Sequence, residues 1–223
     1  MNERVAVLGG TGPQGSGLAL RWAKGGLEVV IGGREAARSA RTAERLTEKL
    51  QGQGRLSGAD NRTAVDGAEI VVLCVPYAAQ TETIGQVRDL LNGKILVDVT
   101  VPLKPPRVGT VQLPQAGSAA VELQRFLGGQ VRLVSAFQNV SAQHLLDLEH
   151  DVDCDVLISG DDNDACEAVV RLAKIAGLNA WRAGPLANAA AAEALTSVLI
   201  AINRRYKIAG AGIRITGTPM QSG

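Results

Sequence analysis

A chain of 223 residues with 46% hydrophobic and 20% charged residues is long and apolar enough to bury the core of one ordinary domain. Lysine and arginine number 23 against 22 aspartates and glutamates, and a net charge of +1 with no basic block excludes the electrostatic footprint of a nucleic-acid or anionic-membrane binder. Three scattered cysteines, Cys74, Cys154 and Cys166, exclude a disulfide framework or a zinc knuckle and suit reduced thiols in a cytoplasmic protein.

The first strand, Arg4–Leu8, begins almost at once, with no charged region and long apolar stretch before it. A helix is expected from about Gln14 to Lys24, then a strand over Glu28–Ile31. The next helix, from about Glu35 to Gln51, carries Ala36, Ala40, Ala43, Leu46 and Leu50 along one face. Asp60–Gly67 reads as a short helix, Ile70–Val75 as a strand with Cys74 as a small core residue, Thr81–Leu91 as a helix and Ile95–Val99 as a strand. These strands are continuous Val/Ile/Leu runs, so helices should cover both faces of a mostly parallel, doubly wound sheet.

From Thr100 to Pro114 the chain is a Pro-rich loop (Pro102, Pro105, Pro106, Pro114), of a length that is usually functional. A helix over Ser118–Leu127, a strand over Val131–Ala136 and a polar loop over Gln138–Gln143 follow. The last elements are a strand over Asp155–Ser159, a helix over Asp164–Ala176, a short strand over Asn179–Arg182 and a helix from about Ala187 to Ala209. The Ala- and Leu-rich stretch Leu186–Ile202 carries Asn188, Glu193, Thr196 and Ser197 and falls short of roughly 20 apolar residues, so it reads as a buried helix and not a membrane span.

Gly10-Thr11-Gly12-Pro13-Gln14-Gly15 is a G-x-G-x-x-G between a strand and a helix, the context in which such a loop cradles a dinucleotide pyrophosphate. Its first glycine permits the tight turn, its second lets backbone approach the anion, and its third lets helix pack on strand. A plain strand-to-helix turn is the bland alternative. The fold class that follows is a Rossmann-type α/β domain with a short C-terminal helical extension.

An NAD site places Asp or Glu at the end of the second strand, where this chain has Gly32-Gly33-Arg34. Arg34 and Arg38 are one helical turn apart at a helix N-terminus, where cations oppose the macrodipole unless an anion shares the site. A 2′-phosphate in an arginine fork resolves that conflict, which selects NADP(H). Arg38 also fits a solvated face with Arg41, Glu44 and Arg45.

No Tyr-x-x-x-Lys, G-x-S-x-G, H-E-x-x-H or Walker motif is present, and His144 and His150 lie in a polar loop region without metal-ligand spacing. Carbonyl reduction needs a proton donor beside the hydride donor, whereas transfer between two redox cofactors needs mainly orientation and exclusion of water. No catalytic side chain is therefore assigned.

Val5–Gly17 (VAVLGGTGPQGSG), Ile31-Gly32-Gly33-Arg34, Cys74-Val75-Pro76-Tyr77, Ser135-Ala136-Phe137, Gly160-Asp161-Asp162 and Ala183-Gly184-Pro185-Leu186 together resemble the NADPH-dependent coenzyme F420 reductases. Asn188, Glu193, Leu195 and Thr196 extend the likeness into the last helix, so that it spans nearly the whole chain. The resemblance implies a single NADP-binding domain over residues 1–223 (core 1–183, helix and tail 184–223) that pairs as a homodimer and exchanges hydride with an 8-hydroxy-5-deazaflavin co-substrate.

It further implies that Thr11, Gly33, Arg34 and Arg38 hold the 2′-phosphate, with Gln14 near the pyrophosphate. Val75 and Pro76 would line the dinucleotide path and Ala136 would contact the carboxamide. The loop from Pro102 and the segment Ala211-Gly212-Ile213 would border the deazaflavin. One position departs from an archaeal member: Gln138 stands where that protein has histidine, and can donate a hydrogen bond to a carbonyl without carrying charge. An NADPH-dependent reductase of a flavin, imine or ferric chelate, and an NADP-sensing protein without turnover, are the competing readings.

Overall fold

The computed structural model describes residues 3–149 and 151–217, so His150 lies outside the described residues. Eight strands form one sheet in the order β3-β2-β1-β4-β5-β6-β7-β8. They are β1 (Arg4–Leu8), β2 (Glu28–Gly33), β3 (Arg55–Asp60), β4 (Ile70–Leu73), β5 (Ile95–Asp98), β6 (Arg132–Ser135), β7 (Asp155–Gly160) and β8 (Asn179–Arg182). The first six are parallel. β7 is antiparallel to β6, through Val134 opposite Gly160 and Ser135 opposite Ser159, and β8 runs parallel to β7.

Alternation along each strand divides the core between two helical layers. Val5 and Val7 of β1 face one layer, Ala6 and Leu8 the other, all four fully buried. The first layer holds α1 (Pro13–Lys24), α2 (Ala36–Lys49), α6 (Ala142–Leu146) and α7 (Asn163–Ile175), with Leu18, Trp22, Leu46 and Leu172 pointing inward. The second holds α3 (Asn61–Val65), α4 (Gln80–Gly85), α5 (Ala119–Leu127) and the start of α8 (Ala189–Tyr206), with Ala64, Ile84, Leu123 and Ala189. Each such Leu or Ile stabilises the fold by about 1.5–3 kcal/mol relative to exposure.

Several elements differ from expectation. β3 was not foreseen: its RLSGAD offers little apolar period, because it is an edge strand whose neighbour α2 lies unusually close. A Cβ on Gly58 would fall 2.2 Å from the Ser39 carbonyl carbon, so only glycine permits that approach. β4 ends at Leu73, which leaves Cys74 just beyond the strand and half-buried, not within the core. The Thr81–Leu91 helix is instead α4 followed by a 3-10 turn over Arg88–Leu90.

The polar loop gives way to α6 at Ala142, and His144 is helical. The buried Arg21 guanidinium holds this short helix by donating to the carbonyls of His144, Leu145 and Asp147 at 2.7–3.0 Å. α8 is preceded by a 3-10 turn, Leu186–Asn188, and stops at Tyr206, where Lys207 takes a left-handed conformation (φ 54°).

Candidate functional site

The carboxyl ends of β1, β2 and β4 meet around a cleft of about 310 Å³. Its floor is the loop after β1. Gly9, at φ +76°, turns the chain, and the amides of Gly10 and Gly12 close the turn onto Val7 and Gly9 carbonyls at 3.2 and 3.0 Å. A Cβ on Gly9 would strike the Cys74 carbonyl oxygen at 2.5 Å, one on Gly10 the Val7 carbonyl at 2.8 Å, and one on Gly15 the Gly10 Cα at 2.8 Å. Gly12 differs: its nearest neighbour would be Gly9 O at 3.4 Å, and its open side faces the cleft. Gly12 is also the N-cap of α1 with no side-chain cap, so the first amides of that helix remain available to an anion.

Arg34 and Arg38 line the opposite wall, beside Gly33 and Thr11. Both are exposed, and no carboxylate among the described residues pairs with either. Val75 and Pro76 form the third side. Seven of the expected residues, Thr11, Gly12, Gly33, Arg34, Arg38, Val75 and Pro76, are thus brought together.

The other five do not line the cleft. Gly10 is buried, and Pro13 is the exposed first residue of α1. Gln14, in the first turn of α1, donates its side-chain amide to the Phe137 carbonyl at 3.1 Å. Ala136 is fully buried, its amide bonded to Asp98 O at 3.1 Å. Gln138 is turned inward: its amide nitrogen donates to Asp98 O at 2.9 Å and to Ser135 Oγ at 2.8 Å, and its Oε1 is buried without a partner. Between Ala136 and Gln138, Phe137 adopts φ 70°, a costly conformation for an aromatic residue. Gln14 and the edge-on ring of Trp22, 5.8 Å away, hold it there.

Residues that sequence reasoning missed complete the site. Asn61, at the start of α3, lines the cleft with a buried Oδ1 that has no partner. Only the strand β3 brings it there, so overlooking β3 concealed it. Cys74 also lines the cleft, and burial pushes its thiol above the usual range.

Two buried carboxyls lie under the same end of the sheet. Asp98, fully buried at the end of β5, accepts from Gln80 Nε2 at 2.7 Å and Thr100 N at 3.0 Å, and burial pushes it up to about 6. Glu193 of α8 accepts from the amides of Ala119 and Ala120 at 2.7 and 3.1 Å, capping α5, and burial pushes it up to about 8. Both folded values exceed the free ones of 3.8 and 4.5. The folded chain therefore keeps protons that the unfolded chain has lost between about pH 4 and 8, and stability falls as pH rises through that window. Glu193→Gln should flatten this fall, by on the order of a few kcal/mol, in urea midpoints measured at pH 5 and pH 8. An equally steep fall in the variant would place the retained proton elsewhere.

The segment after α8 returns to this end of the sheet. Ala211 N donates to Asn203 Oδ1 at 2.8 Å, and Asp155 exchanges bonds with Ile213 O (2.8 Å) and Ile215 N (2.7 Å). The same Asp155 carboxylate accepts from Trp181 Nε1 and Asn179 Nδ2 at 2.8 Å each. Among the described residues no group of three or more His, Cys, Asp or Glu could hold a metal.

Residues 4–102 match the family model for NADP oxidoreductase, coenzyme F420-dependent. The chain is similar to the F420-dependent NADP reductase of Methanothermobacter thermautotrophicus, at 43% identity over 99% of this chain and 98% of that one. It is likewise similar to the F420-dependent NADP reductase of Methanocaldococcus jannaschii, at 40% identity over 96% of this chain and 98% of the other. In three dimensions it resembles a candidate F420-dependent NADP-reductase from Arthrobacter sp. FB24, with a TM-score of 0.78 and 26% identity, covering 96% of this chain and 99% of that one.

Proposed function

The chain belongs to the coenzyme F420-dependent NADP reductases, and from that premise we propose which of its residues hold the reactants. It transfers hydride between NADP(H) and F420. Bound in contact, the nicotinamide and the deazaflavin supply the hydride donor and acceptor carbons themselves, and the protein supplies orientation and exclusion of water.

The cleft fits a phosphorylated dinucleotide on several counts. The open side of Gly12 and the uncapped first turn of α1 offer backbone amides to the pyrophosphate. Arg34 and Arg38, which pair with no carboxylate among the described residues, stand beside Gly33 and Thr11 and take the 2′-phosphate. That unpaired arginine fork is the observation that carries the reading. Asn61, which lines the cleft, stands beside the adenosine half. Val75 and Pro76 wall the path toward the nicotinamide.

Beyond them Ala136 offers backbone only. Gln138 acts by position, since its side-chain amide nitrogen donates to Asp98 O and Ser135 Oγ while its main-chain carbonyl accepts from Thr196 Oγ1 at 2.9 Å. Gln14 ties the phosphate loop to that turn through Phe137.

α8 supports a homodimer. With its leading turn, over Leu186–Tyr206, it is long and apolar enough by length and composition to cross a membrane, yet only 33% of its most apolar window is buried. Ala191, Ala194, Leu195, Val198 and Ile202 recur at helical spacing on a side where none is fully buried. A second copy of this chain covers the part of that stripe from Ala191 to Val198, short of Ala201 and Arg205 at the end of the helix. The three free cysteines suit a reducing cytoplasm.

Mixing the purified protein with NADPH and oxidised F420 should bleach the deazaflavin absorbance quickly, and NADH should do so far more slowly. Absence of bleaching while NADPH still binds by calorimetry would move the reaction to another acceptor, with flavins, imines and ferric chelates tested next.

A further inference from the structure

A second cationic groove lies between the Pro-rich loop and α8. Arg107 and Gly109 from that loop face Ala201, Arg204 and Arg205 of α8. A Cβ on Gly109 would rest 3.6 Å from that of Ala201, so loop and helix are in contact. The loop is braced internally: Thr110 N donates to Arg107 O at 3.0 Å, Arg107 N to Lys104 O at 3.1 Å, and Gln112 Nε2 to Arg107 O at 3.2 Å. Arg107 is thereby held toward the groove by its backbone.

No carboxylate lines this groove, and none among the described residues pairs with any of the three guanidiniums. Arg204 and Arg205 complement the C-terminal dipole of α8, which accounts for those two but not for a third arginine brought to them from another element. In a chain whose net charge is +1, three unpaired arginines around one groove form a local anion-attracting field.

The groove also has a defined relation to the reaction end of the sheet. Its loop wall leaves the carboxyl end of β5 directly after Asp98. Its helix wall leads through Asn203 and Ala211 to the segment bonded to Asp155. Because β7 runs antiparallel to the first six strands, Asp155 at its start lies at their carboxyl end.

We propose that Arg107, Arg204 and Arg205 bind the anionic side chain of the deazaflavin coenzyme, the phosphodiester and carboxylates that F420 carries beyond its ring. This rests on the reading of the chain as an F420 reductase. Guanidiniums suit both oxyanions, by paired N–H donors. The 2′-phosphate of NADP is met separately by Arg34 and Arg38, so each reactant has its own anchor.

The test compares F420 with its ring-only analogue, 8-hydroxy-5-deazariboflavin, as acceptors from NADPH. In the native protein kcat/KM for F420 should exceed that for the analogue at least tenfold, and the excess should shrink as salt rises. In an Arg107→Ala, Arg204→Ala, Arg205→Ala variant that ratio should fall tenfold or more, carried by KM for F420. The corresponding triple lysine variant, which keeps the charge, should recover part of it and exclude loop damage as the cause. A ratio unchanged in the alanine variant would overturn the proposal. Failure of the native protein to reduce either acceptor would instead remove the F420 reading beneath it.

Discussion

Replacing both Arg34→Ala and Arg38→Ala is expected to lower the preference for NADPH over NADH by roughly 30-fold, almost wholly through weaker NADPH binding. A charge-assisted hydrogen bond contributes about 1.5–3 kcal/mol. Both guanidiniums are exposed, so screening by water takes about half of the combined value. About 2 kcal/mol remains, and each 1.4 kcal/mol is worth about tenfold, so the loss is roughly 30-fold. NADH, which has no 2′-phosphate, should bind the variant as well as it binds the native protein, and titration calorimetry with both nucleotides would read the difference directly. Equal losses for the two nucleotides would mean that the arginines support the loop and not the phosphate.

The second large effect separates folding from binding within one turn. Gly9→Ala forces a Cβ onto φ +76° and against the Cys74 carbonyl at 2.5 Å. The left-handed conformation costs about 1–2 kcal/mol and the overlap another 1–3. A total near 3 kcal/mol should lower Tm by roughly 6–12 °C. Gly12→Ala sits at φ −81°, an ordinary value, with its nearest neighbour at 3.4 Å. Its Tm should stay within about 2 °C of native. Its Cβ would nevertheless occupy the side from which the pyrophosphate approaches the α1 amides, so NADPH affinity should drop roughly tenfold or more. Native NADPH affinity in a folded Gly12→Ala variant would remove Gly12 from the phosphate site.

What could be read in advance was whatever rests on local pattern. The G-x-G-x-x-G, the continuous apolar strands and the Gly33-Arg34 junction signal themselves in a few consecutive residues, and the structure gathers most of the residues they nominate into one cleft. What escaped depends on contacts distant in sequence. β3 is a strand because α2 and β2 hold it, not because of its own composition, and Asn61 came into the site with it. Glu193 looked like a polar interruption in an apolar helix, but its partners are the amides of Ala119 and Ala120, more than 70 positions away. Gln138 was nominated as a donor to a reactant because nothing in the sequence shows that Asp98 O and Ser135 already take its hydrogens.

The chain has two tryptophans, and each is tied to a different part of the fold. Trp22 stands edge-on to Phe137, whose carbonyl is gripped by Gln14 of the phosphate loop. Trp181 donates its indole N–H to Asp155, the carboxylate that fastens the segment after α8. The protein thus contains two native fluorophores, one buried beside the Phe137 turn and one bonded to the carboxylate that fastens the segment after α8. Emission from single-tryptophan variants would follow the arrival of each reactant separately, in real time and without a label.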